Sequence, residues 1–148
     1  MEIGFYHLTR STLEQALPKL LARVLGLPGR ALVLSGSAER LAALDLALWR
    51  AEDWLPHNAT TQDGDAELQP IWLTTEDMPA PNGARHLFLV AGGRSARMNE
   101  FDRGFDIFDG EDEAAVQAAR KRFREAREVG HALTYWQQSE TGRWEKRA

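Results

Sequence analysis

The sequence predicts a single α/β domain with a mostly parallel central sheet and helices on both faces, a Rossmann-like arrangement. Its 148 residues suit one hydrophobic core. Short apolar runs of strand length alternate with segments in which leucines recur at helical spacing. Each helix between two strands forms a crossover, which favours right-handed connections and a parallel sheet. We therefore expect residues 1–148 to form one domain, with a polar tail from about residue 137.

The first half of the chain alternates strand and helix. The predicted elements are strands over 3–8 and 31–34 and helices over 12–25 and 38–51. Ser11 and Glu14 have the three-residue spacing of a capping box, which predicts the start of the first helix. Ser35 or Ser37 is expected to cap the second helix. Both helices therefore have start signals in the sequence.

The second half contains more strand candidates and one long helix. Strands are predicted over 71–73, 86–90, 105–108 and 132–136, a short helical segment over 98–102 and a long helix over 111–129. The stretch 58–69 is acidic and poor in apolar residues, so it is expected to be a loop. Acidic residues open the long helix and Gly130 follows it, as the helix dipole and a glycine C-cap favour.

The helix over 38–51 carries two apolar faces. Leu41, Leu44 and Leu48 gather on one face at about 100° per residue, and this face should pack on the sheet. Leu46 and Trp49 lie on a second face, which something else must cover. Either a partner protein or the chain itself could cover it.

Further aromatic and apolar residues follow this helix directly. Trp54 and Leu55 stand beside the rigid Pro56. Tryptophan is enriched at binding hot spots because it buries a large area with few rotatable bonds. The residues are therefore either interface anchors or a cover for the chain's own core. Trp72 and Trp136 fall in predicted strands and are expected in the core, whereas the sequence assigns no role to Trp144.

The long C-terminal helix is basic in an otherwise acidic chain. Residues 118–131 hold five basic side chains against two acidic ones, 5 − 2 = +3, while the whole chain has a formal charge of −4. The stripe at i, i+4 and i+7 comprises Arg120, Arg124 and Arg127, beside an apolar seam of Val116, Ala119, Phe123 and Ala126. Such a surface suits an acidic peptide that ends in a hydrophobic residue with a free carboxylate. The alternatives are a solvated helix face and direct nucleic-acid binding, which the net acidity disfavours.

The sequence predicts no catalytic residues, no metal site and no cofactor. There is no cysteine, and the four histidines lack metal-ligand spacing. Ser35 lies in L-S-G-S, which is not a nucleophile-elbow motif, and no phosphate-binding loop is present. Gly36 is expected only to make a turn. No secretory signal or membrane span is recognisable, and the absence of cysteine fits a cytoplasmic protein.

Several segments together resemble one family. The stretch 44–49, L-D-L-A-L-W, followed by 54–58, W-L-P-H-N, closely resembles the L-D-x-A-L-W and F-[VL]-P-H-N pattern of the bacterial DNA polymerase III chi subunit. The opening F-Y-H-L, the G-F-D-I-F near Gly104 and the basic A-R-K-R-F-R-E-A-R-E-V-G segment are also similar to that family. The order of these segments and the chain length match as well.

The resemblance implies a non-catalytic accessory subunit of the clamp-loader assembly that pairs with the psi subunit. It also implies binding to the acidic, phenylalanine-terminated tail of single-stranded DNA-binding protein, with DNA contacted only indirectly and no membrane. The psi-facing residues would be Trp49, Trp54, Leu55 and Pro56. The tail-binding residues would be Arg120, Phe123, Arg124 and Arg127.

Two other functions remain open from the residues alone. One is a Rossmann-like nucleotide-binding protein or enzyme of unknown substrate, suggested by the predicted sheet. The other is an adaptor for a helicase, which could use the same aromatic surface in place of psi. The chain also departs from the family pattern at Val116, where a basic residue would strengthen the tail site.

Overall fold

A computed structural model describes residues 1–25, 30–50, 57–59 and 69–148. The helices are α1 (Leu13–Leu25), α2 (Ala38–Arg50) and α3 (Glu113–Val129), with a short 3-10 helix at Met98–Glu100. The strands are β1 (Glu2–Leu8), β2 (Ala31–Ser35), β3 (His57–Ala59), β4 (Ile71–Thr74), β5 (His86–Val90), β6 (Arg103–Asp109), β7 (Ala132–Gln138) and β8 (Trp144–Lys146). No helix among these residues is both long enough and apolar enough to span a bilayer.

The described strands form one sheet in the order β3-β4-β2-β5-β6-β1-β7-β8. All neighbouring strands are parallel except β7 and β8, which form an antiparallel hairpin. The predicted α/β class with a mostly parallel sheet is confirmed. The crossover from β6 through α3 to β7 places α3 across β1, which lies between those two strands.

The helices cover the two faces of the sheet unequally. The buried leucines described in α1 and α2 share one cluster with alternate residues of β1, β2, β4, β5 and β6. On the other face α3 packs over β1 and β6, where its cluster includes Ile3, Phe5 and Phe108. A third cluster around Leu32, Leu87 and Phe101 fills the rest of that face. Helix α3 is therefore the only described α-helix on its face.

Two local predictions need correction. The first capping box is made by Thr12 and Gln15 and not by Ser11 and Glu14. Thr12 Oγ1 accepts from the Gln15 N–H at 3.2 Å, and Gln15 Oε1 accepts from the Thr12 N–H at 3.0 Å. The predicted loop over 58–69 begins with strand residues, because β3 runs through residue 59 and pairs with β4. Residues 60–68 lie outside the described part.

The predicted polar tail continues the sheet. Strand β7 runs to Gln138, and β8 returns antiparallel to it. Trp144 packs edge-on against Tyr6, with ring centroids 5.1 Å apart, and Trp136 stacks on the same tyrosine at 6.2 Å. Trp72 is buried in β4, as predicted. Trp144 thus extends the core beyond β7, a structural role that the sequence did not assign to it.

Candidate functional site

Helix α3 ends at the predicted residue, Val129, but begins at Glu113, two residues later than predicted. The Asp112 side chain caps the first turn by accepting from the backbone N–H groups of Ala114 at 3.0 Å and Ala115 at 3.3 Å. Gly130 closes the helix in the left-handed conformation with φ 101°, which glycine adopts without steric cost. Both ends of the basic segment are therefore fixed.

The sheet-facing side of α3 anchors a partly exposed aromatic ring. Val116 and Ala119 are buried, and Phe123 is half-buried above the sheet. The Phe123 ring lies edge-on to Phe5, with centroids 5.1 Å apart, and to Tyr135 of β7 at 6.1 Å. The ring therefore sits at the boundary between the core and the surface.

The three arginines of the predicted stripe are exposed. Within the described residues, Arg120, Arg124 and Arg127 make no ion pair with a carboxylate. The guanidinium carbon of Arg127 lies 5.1 Å from the centre of the Phe123 ring, in cation–π range. The structure therefore brings together the four residues predicted to form the tail site: Arg120, Phe123, Arg124 and Arg127.

The other basic residues of α3 already face carboxylates. Arg122 makes a bidentate ion pair with Asp106 of β6, at 2.7 and 2.9 Å. Lys121 lies 4.0 Å from Glu125, which also accepts from Arg94 at 2.6 Å. The charge available to a ligand is therefore concentrated on the stripe and is not spread around the helix.

Beside the stripe lies a hydrogen-bonded pair that the sequence did not single out. The Nδ1 atom of His7 in β1 is 2.7 Å from the hydroxyl of Tyr135 in β7. Desolvation lowers the pKa of His7, the nearby charge of Arg120 lowers it further, and Asp109 opposes the shift. Burial raises the pKa of Tyr135, and Arg120 opposes that shift. Arg120 therefore lies close enough to influence both groups.

Helix α2 separates its two apolar faces as predicted. Leu41, Leu44 and Leu48 are buried against the sheet. Leu46 and Trp49 are 48% and 60% exposed, respectively, on the opposite side. The remaining residues of this predicted surface, Trp54, Leu55 and Pro56, lie outside the described part of the chain. The exposed face is thus established for the α2 residues alone.

The carboxyl edge of the sheet is where a Rossmann-type protein would bind a nucleotide phosphate. Here the Oε1 atom of Gln138 accepts from three successive backbone N–H groups that follow β1. The donors are Thr9, Arg10 and Ser11, at 3.1, 3.0 and 3.1 Å. The anion-binding position after the first strand is therefore filled by the chain's own glutamine.

The loop after β2 is packed just as closely. The Gly36 N–H donates to the Val90 carbonyl oxygen at 3.1 Å, and a Cβ on Gly36 would collide with the carbonyl oxygen of Ala91. Gly36 thus permits contact between two backbone segments, a more demanding role than the turn that the sequence predicts. Within the described residues, no group of three or more acidic or histidine side chains could hold a metal ion.

A comparison with models of protein families identifies the family to which the chain belongs. The family model described as DNA polymerase III chi subunit, HolC, matches residues 1–134, which include α2, α3 and the strands β1 to β6. No curated protein matches the chain. The match ends inside β7, so Tyr135, the remainder of β7 and strand β8 lie beyond it. Since the match covers most of its length, the chain belongs to the DNA polymerase III chi subunit family, whose members are accessory subunits in DNA replication.

Proposed function

We propose that this chi-family chain links DNA polymerase III to single-stranded DNA-binding protein by binding the acidic C-terminal tail of that protein along α3. One observation carries the proposal. Three exposed arginines, which make no ion pair with any residue that the structure describes, line up beside a half-buried aromatic ring, on a chain whose net charge is negative. A surface of this kind attracts carboxylates locally, although the chain as a whole would repel a polyanion.

The residues divide the recognition between charge and apolar contact. Guanidinium groups bind carboxylates in a planar, bidentate manner, so Arg120 and Arg124 can each take an acidic side chain or the terminal carboxylate. Phe123, covered on one side by Arg127, offers the apolar contact for the terminal aromatic residue. The protein itself makes no contact with DNA in this arrangement, and its site of action is the cytoplasm.

The test is a fluorescence-anisotropy titration with a short acidic peptide that ends in phenylalanine. Arg120→Ala and Arg124→Ala should each weaken binding by about 1–2 kcal/mol, the scale of one charge-assisted hydrogen bond. The matched control is Arg23→Ala, which removes an exposed arginine from α1 on the opposite face and should leave the affinity unchanged. If Arg120→Ala and Arg124→Ala bind the peptide as tightly as Arg23→Ala does, the assignment is refuted.

Two further titrations identify the groups of the peptide that the protein recognises. Amidation of the peptide's terminal carboxylate should weaken binding, because one anionic partner of the arginines is lost. Raising the salt concentration should do the same, because exposed charges are screened over about 8–10 Å at ordinary ionic strength. Binding that persists in high salt would indicate an apolar interaction in place of the proposed one.

A second surface supports pairing with the psi subunit, through which the chain would join the clamp-loader assembly. Leu46 and Trp49 expose apolar area on α2, and exposed tryptophans are frequent interface anchors. Trp54, Leu55 and Pro56 follow in the sequence and complete this proposed interface. A helicase could occupy the same surface in place of psi.

Pull-down with purified psi or helicase tests this surface. Trp49→Ala should abolish capture of the true partner while leaving peptide binding unchanged. Val129→Ala is the matched control, since Val129 is an exposed apolar residue at the end of α3. Unchanged capture by Trp49→Ala would remove the interface assignment. The nucleotide-binding alternative predicts that ATP or NAD raises the melting temperature and that the peptide leaves it unchanged.

A further inference from the structure

We propose that Tyr135 is a further ligand-contacting residue of the tail site, and that His7 controls whether its hydroxyl proton is available to a ligand carboxylate. The inference rests on the proposed tail binding. It adds a specificity residue from β7 that lies beyond the family match. It also gives the site a dependence on pH that the arginines alone would not have.

The position of Tyr135 supports the contact. Its ring is half-buried, lies edge-on to Phe123 at 6.1 Å and extends the same aromatic surface across β7. Arg120 is near enough to shift the pKa of the Tyr135 hydroxyl, so the hydroxyl and the guanidinium share one neighbourhood. A carboxylate bound between Arg120 and Tyr135 would accept hydrogen bonds from both groups.

The hydrogen bond to His7 limits what the hydroxyl can do. In the proposed neutral tautomer, His7 Nδ1 accepts the tyrosine's only hydroxyl proton across 2.7 Å. When His7 is protonated, Nδ1 becomes the donor and the Tyr135 oxygen the acceptor. The hydroxyl proton is then free to point at the ligand. Protonation thus adds one donor and one positive charge beside an anionic ligand.

The groups around His7 set the pH range of this change. Arg120 faces it from α3, Asp109 from the end of β6 and Tyr135 from β7. Phe108 packs against its ring at 4.9 Å, and Gly110 approaches so closely that a Cβ there would collide with Nε2. A bound carboxylate would offset the repulsion from Arg120 and raise the pKa of His7. Binding should therefore take up a proton, and affinity should rise as pH falls.

The test compares the wild-type protein with Tyr135→Phe in peptide titrations at about pH 8 and about pH 5. The peptide's carboxylates are ionised at both values, since their ordinary pKa values lie near 4 or below. The affinity ratio of wild type to Tyr135→Phe should be near one at the higher pH. It should reach about tenfold at the lower pH, the effect of one hydrogen bond to a charged group.

His7→Gln is the companion variant, because glutamine can accept the hydroxyl proton but does not titrate. Its affinity should be the same at both pH values. In addition, the His7 pKa, followed by NMR in the wild-type protein, should rise when the peptide binds. An affinity ratio that does not change with pH, or a His7 pKa that stays fixed on binding, would overturn the inference.

The outcomes separate this inference from the proposed function. If Arg120→Ala weakens binding but the affinity ratio of wild type to Tyr135→Phe is the same at both pH values, tail binding stands and the proposed role of Tyr135 is refuted. If the wild-type protein binds the peptide at neither pH, both are refuted. Tyr135→Phe keeps the ring against Phe123, so its melting temperature serves as the folding control.

Discussion

The ion pair between Arg122 and Asp106 makes a sharp prediction, because it distinguishes a structural arginine from the arginines on the same helix that are proposed to bind the tail. The Asp106 side chain is 3% exposed and that of Arg122 is 13% exposed. Arg122→Met keeps most of the side-chain length but leaves a buried carboxylate without its cation. Breaking a buried pair in this way costs about 3–5 kcal/mol of the free energy of unfolding. For a chain of this size, that lowers Tm by on the order of 10 °C.

The matched control is Arg124→Met, two residues along the same helix. Its side chain is exposed and makes no ion pair within the described part of the chain. The free energy of unfolding should therefore change by no more than about 0.5 kcal/mol. Peptide affinity should show the reverse pattern, weaker in Arg124→Met and retained by the folded Arg122→Met protein.

The pH dependence of the loss has a defined sign. Burial already raises the pKa of Asp106, and Arg122 opposes that shift. Removing Arg122 raises the pKa further, so the folded variant binds a proton at a pH where the unfolded chain does not. An acid with a raised folded-state pKa destabilises the fold as pH rises. The deficit of Arg122→Met should therefore be largest at neutral pH and shrink on acidification.

Urea denaturation at several pH values measures these free energies. The double variant Asp106→Leu with Arg122→Met removes both charges and should recover most of the stability, since an apolar pair avoids the cost of burying ions. Equal stability of Arg122→Met and Arg124→Met would refute the reasoning. So would a deficit that grows as the pH falls.

Three further predictions concern packing and can be checked by thermal or urea denaturation. Gln138→Ala leaves three backbone N–H groups without their acceptor and should cost about 1–3 kcal/mol; no loss would show that water replaces the amide oxygen. Gly36→Ala should lower Tm because its Cβ meets the Ala91 carbonyl oxygen, and an unchanged Tm would contradict the close approach. Leu44→Ala should cost about 2–5 kcal/mol, whereas Leu46→Ala should change the free energy of unfolding little; similar losses would disprove the two-face description of α2.

The sequence predicted those features that depend on local periodicity or on one decisive residue. The buried face of α2 follows from the spacing of Leu41, Leu44 and Leu48, since helical geometry alone brings them together. The end of α3 follows from Gly130, because glycine adopts its φ of 101° without strain. The basic stripe was predicted for the same reason as the buried face, and the structure places it on one side of α3.

Features that depend on distant partners could not be predicted. Ser11 with Glu14 and Thr12 with Gln15 both fit a capping box, and the spacing cannot decide between them. Gln138 occupies the amides of Thr9, Arg10 and Ser11, which explains physically why the helix starts one residue later than the first pair suggests. The His7–Tyr135 bond joins residues at opposite ends of the chain and has no signal in local sequence.

The occupied amides after β1 distinguish this sheet from that of a nucleotide-binding protein with the same architecture. Nucleotide-binding members of this architecture leave backbone N–H groups free after the first strand to hold phosphate. Here Gln138 occupies those groups, and the same residue belongs to the strand that carries Tyr135. Strand β7 therefore closes the position where a phosphate would bind and adds Tyr135 to the surface beside α3. The variant Gln138→Ala removes the acceptor of these three amides. ATP should raise its melting temperature only if the amides stay aligned without the glutamine. A thermal-shift titration of the variant with ATP measures this.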